Sequence, residues 1–121
     1  MSRPTELRYS RAGRVLHVAF DDGAAFDLPA EFLRVESPSA EVQGHGPGGK
    51  TTVSGRAHVG IIEILPEGNY AVRLVFDDLH DTGIYSWTYL RELGERQGEL
   101  WDAYLKALEA GGLSREPQRA P

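Results

Sequence analysis

A chain of 121 residues with 13 basic and 18 acidic side chains, net charge −5, has the size of one domain. One modest core is all that this length supports, which excludes a full dehydrogenase, kinase or barrel enzyme. Its 40% apolar and 26% charged residues read as a globular protein without a basic footprint for nucleic acid or anionic membrane, and the absence of cysteine excludes disulfides, thiolate metal sites and cysteine nucleophiles.

Charges recur through Arg14 at the N-terminus, and no apolar segment of signal-peptide length follows. No apolar run approaches the roughly 18 residues of a membrane helix, so the expected location is the cytoplasm. Residues 7–10 read as a short strand. In 14–20, Leu16, Val18 and Phe20 share one face at period two, with His17 on the other. Asp21-Asp22-Gly23 then predicts a type I′ hairpin turn, with positive φ at both central positions, and residues 24–28 continue extended. Pro29 suits the start of a short helix over 30–34. Residues 35–56 have almost no periodicity and predict a long loop.

Strand signals return at 57–65, and Pro66-Glu67-Gly68-Asn69 turns the chain. Tyr70, Val72, Leu74 and Phe76 predict one face of the clearest strand. A loop over 77–81 leads to Thr82-Gly83-Ile84-Tyr85. Ser86 is the expected N-cap of a helix that runs to Leu93 and stops at Gly94. A final amphipathic helix over 99–110 carries Leu100, Trp101, Tyr104, Leu105 and Leu108, and Gly111 ends it. The expected fold class is α+β: antiparallel strands in hairpins, a short helix after each hairpin, and a C-terminal amphipathic helix. Residues 1–112 form the single domain, and 113–121, without apolar periodicity, are expected to be a disordered tail.

The chain echoes itself. Phe20-Asp21-Asp22-Gly23 followed by Phe32-Leu33-Arg34 matches Phe76-Asp77-Asp78-Leu79 followed by Tyr89-Leu90-Arg91, at an offset of 56 residues at the turn and 57 at the helix. Such an echo predicts two hairpin-plus-helix units that share one core.

Gly44 to Thr51 fits the phosphate-loop pattern G-x-x-x-x-G-K-[ST]. The chemistry needs a helix starting at the Lys-Thr, whose N–H groups hold the phosphates. Thr51-Thr52-Val53-Ser54-Gly55 is poor helix material, so a flexible Gly-rich loop without nucleotide binding is expected. Of the four histidines, His17 and His58 read as surface strand residues, and His45 lies in the Gly-rich loop. His80 sits among Asp77, Asp78 and Asp81, as a turn residue or as a metal ligand with His45 and Asp81. Tyr85, Trp87 and Tyr89 read as a core corner, with a ligand pocket as the alternative. No G-x-S-x-G elbow marks an activated serine, and catalytic residues are not expected.

Three ordered blocks carry a family resemblance: residues 32–46, Gly68-Asn69-Tyr70-Ala71-Val72-Arg73, and residues 76–87. Over about 7–95 the chain resembles the small bacterial members of the gamma-butyrobetaine hydroxylase-like N-terminal domain family. In the hydroxylases this resemblance implies a non-catalytic domain with a structural zinc on three Cys and one His. His80 looks like that His. The cysteines would fall on Ser37, Ser39 and Val42, none of which replaces a thiolate, so the zinc site is expected to be missing. The resemblance also leads to Gly being expected where Leu79 stands.

The resulting expectation is a non-enzymatic module that binds an unknown protein partner through Ser37, Ser39, Glu41, Gly44 and His45, accessory to an iron–sulfur or dioxygenase system. No cofactor is expected. The alternative is a divalent metal, iron or zinc, held by His80, His45 and Asp81. The terminal helix also offers a homodimer surface.

Overall fold

Alternation around Leu16, Val18 and Phe20 builds the central strand of the first of two sheets. The structure, a computed structural model, describes residues 3–44 and 49–117. Strands β1 (Pro4–Ser10), β2 (Val15–Phe20) and β3 (Ala25–Pro29) form an antiparallel meander in the order β1-β2-β3. Helices α1 (Ala30–Val35) and α2 (Ala40–Gln43) follow. A second meander, β4 (Ile61–Glu67), β5 (Ala71–Phe76) and β6 (Ile84–Ser86), has the order β4-β5-β6, and α3 (Trp87–Glu95) and α4 (Gln97–Ala110) close the chain. The architecture is α+β. One core takes Leu16, Val18, Leu28 and Leu33 from the first half and Val72, Leu74, Phe76, Tyr85 and Leu90 from the second.

The echo in sequence is an echo in structure. Each meander has a bulge at the same place, between Pro4 and Glu6 in β1 and between Ile61 and Glu63 in β4. Leu16 pairs with Leu28, and Val72 with Tyr85. Both Asp-Asp turns close alike: Gly23 N donates to Phe20 O and Phe20 N to Ala24 O, while Leu79 N donates to Phe76 O and Phe76 N to His80 O. Each is a three-residue loop ending in one left-handed residue, Gly23 at φ 93° and Leu79 at φ 73°. The type I′ expectation is thereby corrected: one positive φ suffices, because the extra residue is absorbed as a bulge. A Cβ on Gly23 would meet nothing within 4 Å, so its requirement is purely conformational. Gly23→Val is expected to lower stability by about 1–2 kcal/mol in urea unfolding, since a β-branched residue resists this φ.

Several element bounds differ from the sequence reading. Strand β4 starts later and runs through Pro66, which is tolerated because β4 is an edge strand. Tyr70 lies outside β5 and is exposed. Helix α2 forms one turn inside the predicted loop. Helix α3 passes through Gly94 rather than stopping there, and the glycine makes room for the Phe26 ring, which a Cβ would approach to 2.4 Å. Leu105 on α4 is exposed, while Tyr104 and Leu108 are buried.

The segment 113–117 is held, although its lack of periodicity predicts disorder. Gly55 N and Ala57 N donate to the carbonyls of Ser114 and Arg115 at 2.8 and 2.9 Å. Arg115 Nε and Nη2 donate to both oxygens of the buried Glu31 carboxylate, and its guanidinium lies 5.3 Å from the Trp101 ring centre. A carboxylate buried on α1 needs a cation, and the tail supplies it. Residues 118–121 lie outside the described residues.

Candidate functional site

Three segments meet beside the second Asp-Asp turn. Helix α1 ends at Val35 and delivers Arg34 and Glu36, residues 37–41 cross behind, and the loop after β5 brings Asp78, His80 and Thr82. Asp78 is the hub. Its Oδ2 accepts from Arg34 Nε at 2.8 Å and Arg56 Nε at 2.6 Å, and its Oδ1 accepts from the His80 backbone N–H at 3.1 Å. Burial alone would raise the Asp78 pKa, but the His80 N–H and the Arg34 guanidinium outweigh it and hold the carboxyl below its usual range. Arg34 Nη1 is buried without a hydrogen-bond partner among the described residues.

The turn aims His80 at the loop that follows α1. His80 Nε2 lies 2.9 Å from Ser37 Oγ and 3.3 Å from Ser39 Oγ, and the Ser37 hydroxyl donates to Ser39 Oγ at 3.1 Å. Nδ1 lies 3.6 Å from the Glu41 carboxylate, which accepts a hydrogen bond from the Thr82 hydroxyl. The Thr82 bond, opposed by desolvation and aided by His80, keeps the Glu41 pKa low. Burial, then the neighbouring Arg34, depresses the His80 pKa below its ordinary 6.5, against the pull of Glu41, Asp78 and Asp81.

That depression has a sign that can be measured. An unfolded chain takes up a proton at this imidazole near pH 6.5, before the folded one does. The His80 contribution is therefore complete above about pH 6.5 and is lost as pH falls through the lower folded value. Urea unfolding of the wild type against His80→Gln, at pH 7.5 and pH 5.5, should show a loss on acidification that the variant lacks in part.

The order Ser37 Oγ, His80 Nε2, His80 Nδ1, Glu41 carboxylate is that of a serine hydrolase triad. The chemistry does not follow, because Ser37 is 0% exposed and Gly83 lies so close that a Cβ there would be 2.5 Å from Ser37 Oγ. No substrate carbonyl can reach that oxygen. The family's zinc does not fit either. The hydroxyls of Ser37 and Ser39 hydrogen-bond to each other and to His80, and Val42 is buried and apolar. Among the described residues no three His, Asp or Glu side chains converge as a metal would require.

Of the predicted site residues, the structure brings Ser37, Ser39, Glu41 and His80 together. Asp81 is exposed, 3.8 Å from Arg73, and Gly44 ends α2 at φ 71°. His45 lies outside the described residues. Ser37 and Ser39 are buried, so Glu41 is the exposed side chain of this loop beside His80. The sequence reading missed Arg34, Arg56 and Asp78 as the frame of the site. Only the repeated Leu-Arg and Asp-Asp pairs signalled two of them.

The other sequence candidates have structural roles. Lys50 of the phosphate-loop match pairs with the buried Glu36, and no helix starts at residues 50–51; His45 to Gly48 of that match lie outside the described residues. Tyr85 donates its hydroxyl to Leu33 O, Tyr89 to Glu36 O, and Trp87 Nε1 to Asn69 O. Tyr85 is buried and Trp87 and Tyr89 half-buried, so these aromatics form a corner whose polar atoms are all hydrogen-bonded. His17 pairs with Asp27 across two strands at 2.7 Å, and His58 meets Glu116 at 3.2 Å. No helix among the described residues is long and apolar enough to cross a membrane.

Comparison with curated proteins finds no match. Two solution structures determined by NMR are similar over nearly the whole chain. One is 43% identical, with a TM-score of 0.84 over 99% of this chain and 94% of the other. The second is 48% identical, with a TM-score of 0.83 over 100% and 90%. A crystal structure from Acidithiobacillus ferrooxidans ATCC 23270, of a protein with unknown function in the DUF971 family, is 41% identical, with a TM-score of 0.65 over 76% of this chain and 92% of that one. The family model described as gamma-butyrobetaine hydroxylase-like, N-terminal, matches residues 7–91, a span that holds Asp78, the Ser37–His80 cluster and all but the first three residues of the two meanders, so this chain belongs to that family.

Proposed function

We propose that this chain is a non-catalytic cytoplasmic module that recognises a protein partner through the surface around Leu79. The observation that carries the proposal is Leu79 itself. It stands at φ 73° and is 82% exposed. A leucine is disfavoured there in both respects: the left-handed region costs it roughly 1–2 kcal/mol, and its side chain buries almost nothing. The equivalent turn holds Gly23 without either cost. Backbone strain of this kind collects at sites that bind.

The exposed carboxylates of Asp77, Glu41 and Asp81 flank this turn, with Asp81 3.8 Å from Arg73. The partner that fits presents an apolar pocket with basic residues around it. A second copy of the same surface would set carboxylates against each other, which favours a different protein over a homodimer. Family membership directs the search to components of iron–sulfur or dioxygenase systems.

The test is a photo-crosslinker at position 79 in the native host, followed by binding of the captured partner to purified variants. Leu79→Gly is expected to raise folding stability by about 1 kcal/mol while weakening partner binding at least tenfold, and Leu79→Met to retain binding. Undiminished binding by Leu79→Gly overturns the proposal. Stoichiometric metal in untagged protein, lost in His80→Ala, would establish the metal-accessory alternative in its place.

A further inference from the structure

The two halves are joined by contacts that come in reciprocal pairs. Arg34, after the first hairpin, bonds to Asp78 in the second turn at 2.8 Å. Arg91, after the second hairpin, bonds to Asp22 in the first turn at 3.0 Å. The offsets between Arg34 and Arg91 and between Asp22 and Asp78 are those of the sequence echo. Glycine contacts repeat the pattern. A Cβ on Gly94 would strike Phe26 at 2.4 Å, and one on Gly83 would strike Ser37 Oγ at 2.5 Å; Gly94 is the counterpart of Ser37, and Phe26 of Gly83. Within each unit the backbone joins also match, Ala30 N to Arg14 O and Trp87 N to Tyr70 O, so the units are alike. A contact between the halves from i to j, accompanied by one from the counterpart of i to the counterpart of j, is the signature of a two-fold axis.

We infer that the chain is two copies of one hairpin-plus-helix unit, paired about an internal pseudo-two-fold axis, and that the Ser37–His80 cluster occupies the place filled by an apolar plug at the equivalent interface. At that second interface the Phe26 ring packs beside Gly94, 6.1 Å from Phe20, with Arg91 5.1 Å above Phe20, and Ala24 stands where His80 stands in the other half. At the first interface Gly83 withdraws the ring, and the vacated volume holds the Ser37 hydroxyl and the His80 imidazole. The fold has an apolar solution for this interface and uses it once. The polar cluster is thus not required by the architecture, and its presence marks the interface that has specialised. This inference rests on the equivalence of the halves and not on the proposed partner.

The experiment transplants one interface onto the other in the full-length chain. Gly83→Phe alone is expected to lower Tm by roughly 10 °C or more, because the ring enters space held by Ser37. The triple variant Ser37→Gly, His80→Ala, Gly83→Phe, which reproduces Gly94, Ala24 and Phe26, is expected to recover at least half of that loss. A triple variant no more stable than Gly83→Phe, including one that fails to fold, overturns the inference. The variant Ser37→Gly, His80→Ala serves as the second measurement. A triple variant that melts above it shows that the introduced ring has been packed as Phe26 is, and one that melts below it counts against the equivalence.

Discussion

Asp78→Ala is expected to cost about 3–5 kcal/mol, the loss that follows when one partner of a buried ion pair is removed. The Asp78 side chain is 18% exposed and that of Arg34 only 9%. Its removal leaves the Arg34 and Arg56 guanidiniums side by side with no carboxylate between them, and Arg34 already carries one buried nitrogen without a partner among the described residues. It also takes away the acceptor of the His80 backbone N–H, which shapes the turn. The counterpart Asp22→Ala provides the control. Asp22 is exposed, and Arg91 keeps its bond to Glu95 at 3.0 Å, so a much smaller loss is expected there. Urea unfolding of the two variants checks the difference. Equal losses would show that the depth of the site, which separates two otherwise matched pairs, does not matter.

Arg115→Ala follows with an expected loss of about 2–4 kcal/mol. The Glu31 side chain is 7% exposed and receives two hydrogen bonds from Arg115, at 2.8 and 2.7 Å. The lower end of the range for broken ion pairs applies because Arg115 itself is 46% exposed and water can partly solvate what remains. The lost guanidinium also uncovers Trp101. A double variant, Glu31→Leu with Arg115→Ala, removes both charges and should recover most of the loss. Removal of residues 113–121 should cost at least as much as Arg115→Ala, by loss of the bonds to Gly55 and Ala57 as well. A truncation without effect on Tm would show that the segment contributes nothing to the fold.

Much of this protein is local and therefore legible in its sequence. Period-two alternation in 15–20 and 71–76 marks strands because one face must be buried, and Leu16, Val18, Val72, Leu74 and Phe76 are buried there. Ser86 is readable as an N-cap, and its hydroxyl accepts from Tyr89 N at 3.1 Å. The two Asp-Asp turns and their offset announce the repeated unit, since a three-residue hairpin loop is set by its own residues. What escapes the sequence depends on contacts far along the chain. Gly94 reads as a helix stop by propensity and is a packing residue because Phe26 stands against it. Residues 113–117 read as a tail and are held because Glu31, 84 positions earlier than Arg115, is buried and needs a cation. The pairing of Arg34 with Asp78, 44 residues apart, and of Arg91 with Asp22, 69 apart, has no local pattern at all. Sequence determined the unit, a hairpin with a short helix. Only the tertiary structure decided how two such units face each other, because the shape and charge that lock them belong to neither unit alone.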